Sequence, residues 1–66
     1  MRVDTLVSNL VSGMFEIEVR CLTSKMEFFC KEGLTPQTLK REYGNWMVSY
    51  ITIEHGVMVI GLTSPT

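Results

Sequence analysis

The pair His55-Gly56 divides the C-terminal part of the sequence into two β-rich runs, residues 46–54 and 57–62. A two-residue connection that contains glycine favours a tight β-hairpin. Pairing Glu54 with Val57 sets the register, and a slip of one residue would turn every side chain to the other face. This register predicts two apolar pairs on the buried face: Ile53 with Met58, and Ile51 with Ile60.

The second face of this hairpin is also apolar, since it carries Val48, Tyr50, Thr52, Val57 and Val59. In the same register Tyr50 lies opposite Gly61, where its ring can cover the bare backbone. Residues 56–62 contain no charge and no proline, and we predict that they form an outer strand. An exposed, uncharged edge favours pairing with another chain.

A first hairpin is predicted near the N-terminal end of the chain. From Met14 onward apolar and polar residues alternate, with Phe15, Ile17, Val19 and Cys21 on one side and Glu16, Glu18 and Arg20 on the other, which is typical of a half-buried strand. A two-residue turn at Thr23-Ser24 would return the chain. The expected pairs are Cys21 with Met26, Val19 with Phe28, Ile17 with Cys30, Arg20 with Glu27 and Glu16 with Lys31.

Two helices are predicted from their boundary residues. Thr35 is a suitable N-cap, Pro36 suits the first helical position, and Gly44 follows, so we expect a helix over 36–43 with Leu39 and Tyr43 facing inward. Apolar residues at helical spacing predict another short helix over 4–12, started by Asp4 and closed by Gly13.

These elements predict an α+β fold with the order αββαββ. The simplest arrangement is a four-stranded antiparallel sheet in the order 2-1-3-4, with both helices on one face. The position of the first helix is left open. We expect residues 1–62 to form a single domain and residues 63–66 a flexible C-terminal tail.

Composition excludes several classes of protein. The formal net charge is −1 and 45% of the residues are hydrophobic, so the chain is expected to fold, and no general attraction to nucleic acid or to anionic membrane follows. No apolar stretch approaches the ~20 residues that a membrane-spanning helix needs. We therefore expect a cytoplasmic protein without a membrane partner.

Catalytic chemistry has few candidate residues. The single histidine, His55, falls in a predicted turn, and Asp4 is the only aspartate. Cys21 and Cys30 are expected to be reduced core residues, because the predicted register keeps them too far apart for a disulfide. We predict no enzyme activity, no catalytic residue, no metal site and no cofactor.

Nucleic-acid binding is the alternative function. A basic helix end at Lys40 and Arg41 borders Trp46 and Tyr50, whose rings could stack on bases. The same basic pair also complements the negative end of the helix dipole, which needs no ligand.

The segments 5–10 and 15–20, followed by the closing hairpin from Trp46 to Ile60, resemble small proteins of phages and prophages of Gram-positive bacteria. Such proteins often bind a host protein, including defence nucleases, as small anti-CRISPR proteins do. The resemblance implies a binding protein without specifying its target. We therefore expect a non-catalytic interaction module, a homodimeric regulator or inhibitor of a host protein. Its expected contact residues are Phe29, Tyr50, Thr52, Val57 and Val59.

Overall fold

The computed structural model describes residues 1–8 and 16–65. Along the chain they form α1 (Val3–Val7), β1 (Glu16–Leu22), β2 (Phe28–Leu34), α2 (Pro36–Tyr43), β3 (Met47–Glu54) and β4 (Val57–Thr63). The predicted α+β class and element order are confirmed. Of the predicted first helix, residues 9–12 and its closing Gly13 lie outside the described residues, as do Met14 and Phe15.

The four strands form one mixed sheet in the order β2-β1-β4-β3. The predicted order 2-1-3-4 and the prediction of an all-antiparallel sheet are wrong, because β4 lies between β1 and β3 and runs parallel to β1. An interior strand is covered by a neighbour on each side, so it can be apolar on both faces. The uncharged run that was expected to form an outer strand is therefore a central one.

The β3–β4 hairpin has the predicted register. Glu54 pairs with Val57, and the pairs Ile53–Met58, Ile51–Ile60 and Tyr50–Gly61 follow. The turn residues His55 and Gly56 have φ angles of 52° and 78°, which is the two-residue turn of type I′ that suits strand twist. Beyond Tyr50 a bulge shifts the register, so that Val48 pairs with Leu62 and turns toward the core.

The β1–β2 hairpin differs from the prediction by three residues, because its turn is longer than two residues. The N–H of Thr23 donates to the carbonyl oxygen of Glu27 at 2.8 Å, and Met26 within this turn has a φ of 64°. Cys21 consequently pairs with Phe29 and Arg20 with Cys30. An odd shift exchanges the two faces of β2, so Phe29 lies on the helix side of the sheet and Cys30 is exposed, both contrary to expectation.

The second helix begins and ends at the predicted residues. The side chain of Thr35 accepts a hydrogen bond from the backbone N–H of Thr38 at 3.2 Å, and Pro36 stands in the first turn. In α1, by contrast, the predicted cap is wrong: Arg2 occupies the N-cap without a side-chain hydrogen bond, while Asp4 lies in the first turn and forms an ion pair with Arg2 at 3.2 Å.

One hydrophobic core lies between the helices and a single face of the sheet. Its buried members come from both helices, β1 and β4: Val3, Leu6, Ile17, Val19, Cys21, Leu39, Tyr43, Ile60 and Leu62. We call the opposite side of the sheet the open face. Because α1 and α2 both lie on one side of the sheet, neither of them covers the open face.

Candidate interaction surface

The open face is crossed by a chain of charged side chains. The Nε of Arg20, on β1, donates to Glu18 at 2.9 Å, and its Nη2 lies 3.2 Å from a carboxylate oxygen of Glu54 on β3. The hydrogen bond to Glu18 is the largest cause that raises the pKa of the Arg20 guanidinium; desolvation opposes it, and Tyr50 and the charge of Glu54 add to it. The side chain of Arg20 is thus held across β4 by the carboxylates of Glu18 and Glu54.

This charged bridge explains the burial of Val59. The direct neighbours of Val59 on the open face are Glu18 on β1 and Thr52 on β3, and the side chain of Arg20 spans the same strand to reach Glu54. Val59 is therefore only 1% exposed, although α1 and α2 pack on the other side of the sheet. Of the five expected contact residues, Val59 does not present a surface, and Val57 is half-buried.

A shallow groove of about 140 Å³ lies beside the bridge on the open face. Leu22, Phe28 and Tyr50 form its apolar wall, and the ring of Tyr50 lies against Gly61, as the register predicted. Phe28 is 63% exposed. The polar residues on the rim of the groove are Arg20, Ser49 and Thr63, and Arg20 already has two carboxylate partners.

The outer strand β3 is the most exposed apolar element of the described chain. Its residues 47–53 contain no charge and no proline, and every residue of β3 except Val48 is exposed. Ile51 and Ile53 belong to the helix side of the sheet as predicted, but neither helix covers them, and they are 45% and 50% exposed. Their predicted burial is therefore wrong.

Part of the outer edge of β3 is already occupied. The backbone N–H of Val48 donates to the carbonyl oxygen of Met1 at 2.7 Å, and Arg2 forms a bridge with Met47. We call the remaining part, Tyr50–Glu54, the β3 edge. Among the described residues no other strand pairs with it.

The hairpin geometry fixes which backbone groups point outward from the β3 edge. In a two-residue hairpin the residues that flank the turn exchange both backbone hydrogen bonds, so Glu54 faces β4. Alternation along the strand then directs the N–H and C=O groups of Ile51 and Ile53 away from the sheet. These four groups are a ready template for another strand.

The other outer strand, β2, is protected against pairing. Lys31 and Glu32 stand in its middle, and Gly33 has a φ of 67° next to an irregularity in the β1–β2 register. Charges and bulges are the usual means by which natural sheets prevent edge-to-edge association. The outer edge of β2 is therefore protected against pairing with another strand, whereas the β3 edge is not.

The helix side of β2 forms a polar cluster with α2. The ammonium group of Lys31 lies 3.0 Å from Glu42 and 5.8 Å from the centre of the Tyr43 ring. The hydrogen bond to Glu42 is the main cause that raises the pKa of Lys31, and desolvation raises the pKa of Tyr43. Burial likewise raises the pKa of the Cys21 thiol to about 11. These raised pKa values keep Lys31 protonated, and the side chains of Tyr43 and Cys21 neutral, at neutral pH.

The residues of the predicted nucleic-acid site do not form one surface. Lys40 and Arg41 lie in the last turn of α2, and Trp46 packs edge-on against Tyr43 with ring centres 5.3 Å apart. Tyr50 lies on the open face, on the other side of the sheet. The remaining expected contact residue, Phe29, packs edge-on against Trp46 on the helix side. Nucleic-acid binding stays a prediction that this placement does not strengthen.

Residues 1–8 and 16–65 contain neither a cluster of metal-binding side chains nor a helix that could span a membrane. Within these ranges no three histidine, cysteine, aspartate or glutamate side chains are grouped so that they could hold a metal ion. No helix in the same part of the chain has both the length and the apolar character that crossing a bilayer requires.

Comparison with known proteins finds no matching family model, no matching curated protein and no matching solved structure.

Proposed function

We propose that the protein is a non-catalytic protein–protein interaction module that forms a homodimer through the β3 edge. The observation that carries this proposal is the position of β3 at the outside of the sheet, since residues 47–53 of this strand are uncharged and nearly all of them are exposed. Long apolar edges are rare on monomeric proteins, because they pair with other chains. The expected role as a regulator or inhibitor of a host protein stays a prediction.

Strand addition explains how such a module gains affinity. The outward backbone groups of Ile51 and Ile53 supply hydrogen bonds, and their half-exposed side chains supply apolar area beside those bonds. Phage-type binding proteins, which the sequence resembles, need no catalytic group for this mode of action. The interaction residues that were expected on β4 are replaced in this proposal by residues of β3, of which Tyr50 and Thr52 were already expected contacts.

The size of the protein in solution tests the proposal. Sedimentation velocity at high micromolar concentration should give a dimer for the natural protein and a monomer for Ile53→Lys, since a lysine there places a charge on each side of the joint. Phe28→Lys is the matched control, because Phe28 is an exposed apolar residue on the other outer strand. It should remain dimeric.

Two results would contradict the proposal. A natural protein that stays monomeric at high micromolar concentration would exclude the homodimer. A dimer that persists in Ile53→Lys but dissociates in Phe28→Lys would move the interface from β3 to β2. Circular dichroism of both variants establishes that the sheet is still folded, which is expected because both side chains are largely exposed.

A further inference from the structure

We infer that two copies of this chain join their β3 edges antiparallel about a twofold axis at Thr52, so that Ile51 of each copy pairs with Ile53 of the other. This inference rests on the proposed function and specifies its partner and its geometry. It follows from the outward backbone groups, from the neighbours of the edge, and from the side chains on each face.

The backbone groups give a self-complementary pattern. Only Ile51 and Ile53 within the β3 edge direct both their N–H and their C=O groups outward, as the register of the β3–β4 hairpin requires. Pairing Ile51 with Ile53 of the partner subunit satisfies all of these groups at once, with four hydrogen bonds across the twofold axis. In a symmetric dimer each contact occurs twice, which this register provides.

The neighbours of the edge exclude the two adjacent symmetric registers. An axis at Ile51 would place the partner subunit's Glu54 opposite Val48, whose N–H already donates to Met1. An axis at Ile53 would place Ile51 opposite the partner subunit's His55, which lies in the turn with a φ of 52° and does not continue the strand. The axis at Thr52 confines the pairing to Tyr50–Glu54, which avoids both conflicts.

The side chains agree with this register on both faces. On the helix side, two half-exposed isoleucines from each copy come together into one apolar cluster. On the open face, Thr52 meets Thr52 of the partner subunit, and Tyr50 lies opposite the partner subunit's Glu54. No like charges meet, and Glu54 keeps its own ion pair with Arg20 at 3.2 Å.

The assembly closes at two copies. Joining two β3 edges makes one eight-stranded sheet whose outer strands are both β2, and β2 carries Lys31, Glu32 and the positive φ of Gly33. A strand protected in this way does not accept a third copy. An isologous joint that uses up both reactive edges gives a dimer, whereas a joint between β3 and β2 would continue into a filament.

Cysteine cross-linking tests the register. Directly opposed residues of a non-hydrogen-bonded antiparallel pair have Cα atoms ~4.5 Å apart, within the ~4.4–6.8 Å range of disulfides. Thr52→Cys in a Cys30→Ser background should therefore cross-link to a dimer in a glutathione redox buffer. Glu54→Cys in the same background is the control, because its two copies would lie about 13 Å apart at ~3.3 Å per residue. We expect at least tenfold more cross-linked dimer for Thr52→Cys on a non-reducing gel.

The outcomes separate this inference from the proposed function. If the uncross-linked protein sediments as a dimer and Thr52→Cys cross-links no more than Glu54→Cys, the register is wrong and the proposed function stands. If the protein sediments as a monomer and neither variant cross-links, both fail. Selective cross-linking of Thr52→Cys, reversed by a reductant, supports both.

Discussion

Replacing Gly61 by alanine should destabilise the protein because Tyr50 occupies the space of the new methyl group. The ring of Tyr50 lies directly against the position that a Cβ atom of residue 61 would take. Tyr50 is 45% exposed, so roughly half of its surface is packed on the sheet. An aromatic residue buries on the order of 200 Å² when fully covered, so displacing this ring loses about 2.5 kcal/mol at ~25 cal/mol/Å². Removing a glycine returns ~0.4–1 kcal/mol by restricting the unfolded chain.

The net expectation for Gly61→Ala is a loss of about 1.5–2 kcal/mol in the free energy of unfolding. Urea denaturation followed by the fluorescence of Trp46, the only tryptophan, measures it. A double-mutant cycle isolates the cause: in a Tyr50→Ala background, Gly61→Ala should be neutral or slightly stabilising. An equal loss in both backgrounds would show that the ring does not cause the effect and would refute the reasoning.

Four further predictions concern the core, a helix cap and the two cysteines. Leu39→Ala should lower the free energy of unfolding by ~2–5 kcal/mol, because Leu39 is fully buried. The total free energy of unfolding of a chain of this length is only about 3–10 kcal/mol, so the circular dichroism spectrum of the variant should show substantial unfolding. A native spectrum would contradict this. Thr35→Ala removes the bond from the N–H of Thr38 and should cost ~1 kcal/mol in urea denaturation, whereas an unchanged midpoint would show that the cap contributes nothing. Iodoacetamide at pH 8 should modify exposed Cys30 and spare buried Cys21 in mass spectrometry. Burial raises the pKa of the Cys21 thiol from 9.0 to about 11, so unfolding releases a proton between pH 9 and pH 11 and the free energy of unfolding should fall over this range. An equal fall in Cys21→Ala would contradict that origin.

The parts of the fold that the sequence predicts are those with local causes. The bounds of α2 follow from Thr35, Pro36 and Gly44, which are neighbours in the chain. The register of the β3–β4 hairpin follows from a two-residue turn, since His55 and Gly56 leave the strands no alternative pairing. Short-range constraints of this kind involve few residues and do not depend on the rest of the fold.

The β1–β2 register was mispredicted because a turn of unknown length controls it. Thr23-Ser24 resembles a short turn, but the chain continues to Glu27 before pairing resumes, with Met26 at a positive φ that non-glycine residues seldom adopt. Nothing in the local sequence identifies Met26 for that conformation. The correct register also places Lys31 beside Glu42 of α2, an interaction between elements that separate patterns do not reveal.

The prediction of the strand order was wrong because it depended on the interpretation of one uncharged run, and the expected contacts Val57 and Val59 were chosen from the same interpretation. Val57–Thr63 is apolar on both faces, which is typical of a central strand and also of an edge strand that pairs with another chain. The signal that distinguishes them is the β3 sequence, which is also uncharged from Met47 to Ile53. Of these two uncharged strands, β4 lies beside β1, whose open face is charged, and is central, and β3 is left at the edge.

The parallel contact between β1 and β4 has a consequence for synthesis of the chain. Paired residues of these two strands, such as Glu16 and Val57, are about 40 positions apart in the sequence, and β4 also holds β3 in the sheet. Until β4 has emerged from the ribosome, the first hairpin has no third strand and its core face has no cover from Ile60 and Leu62. Nascent copies would then expose the apolar sides of β1 and β3 for as long as translation of this segment takes, so slow translation should increase their demand for chaperones.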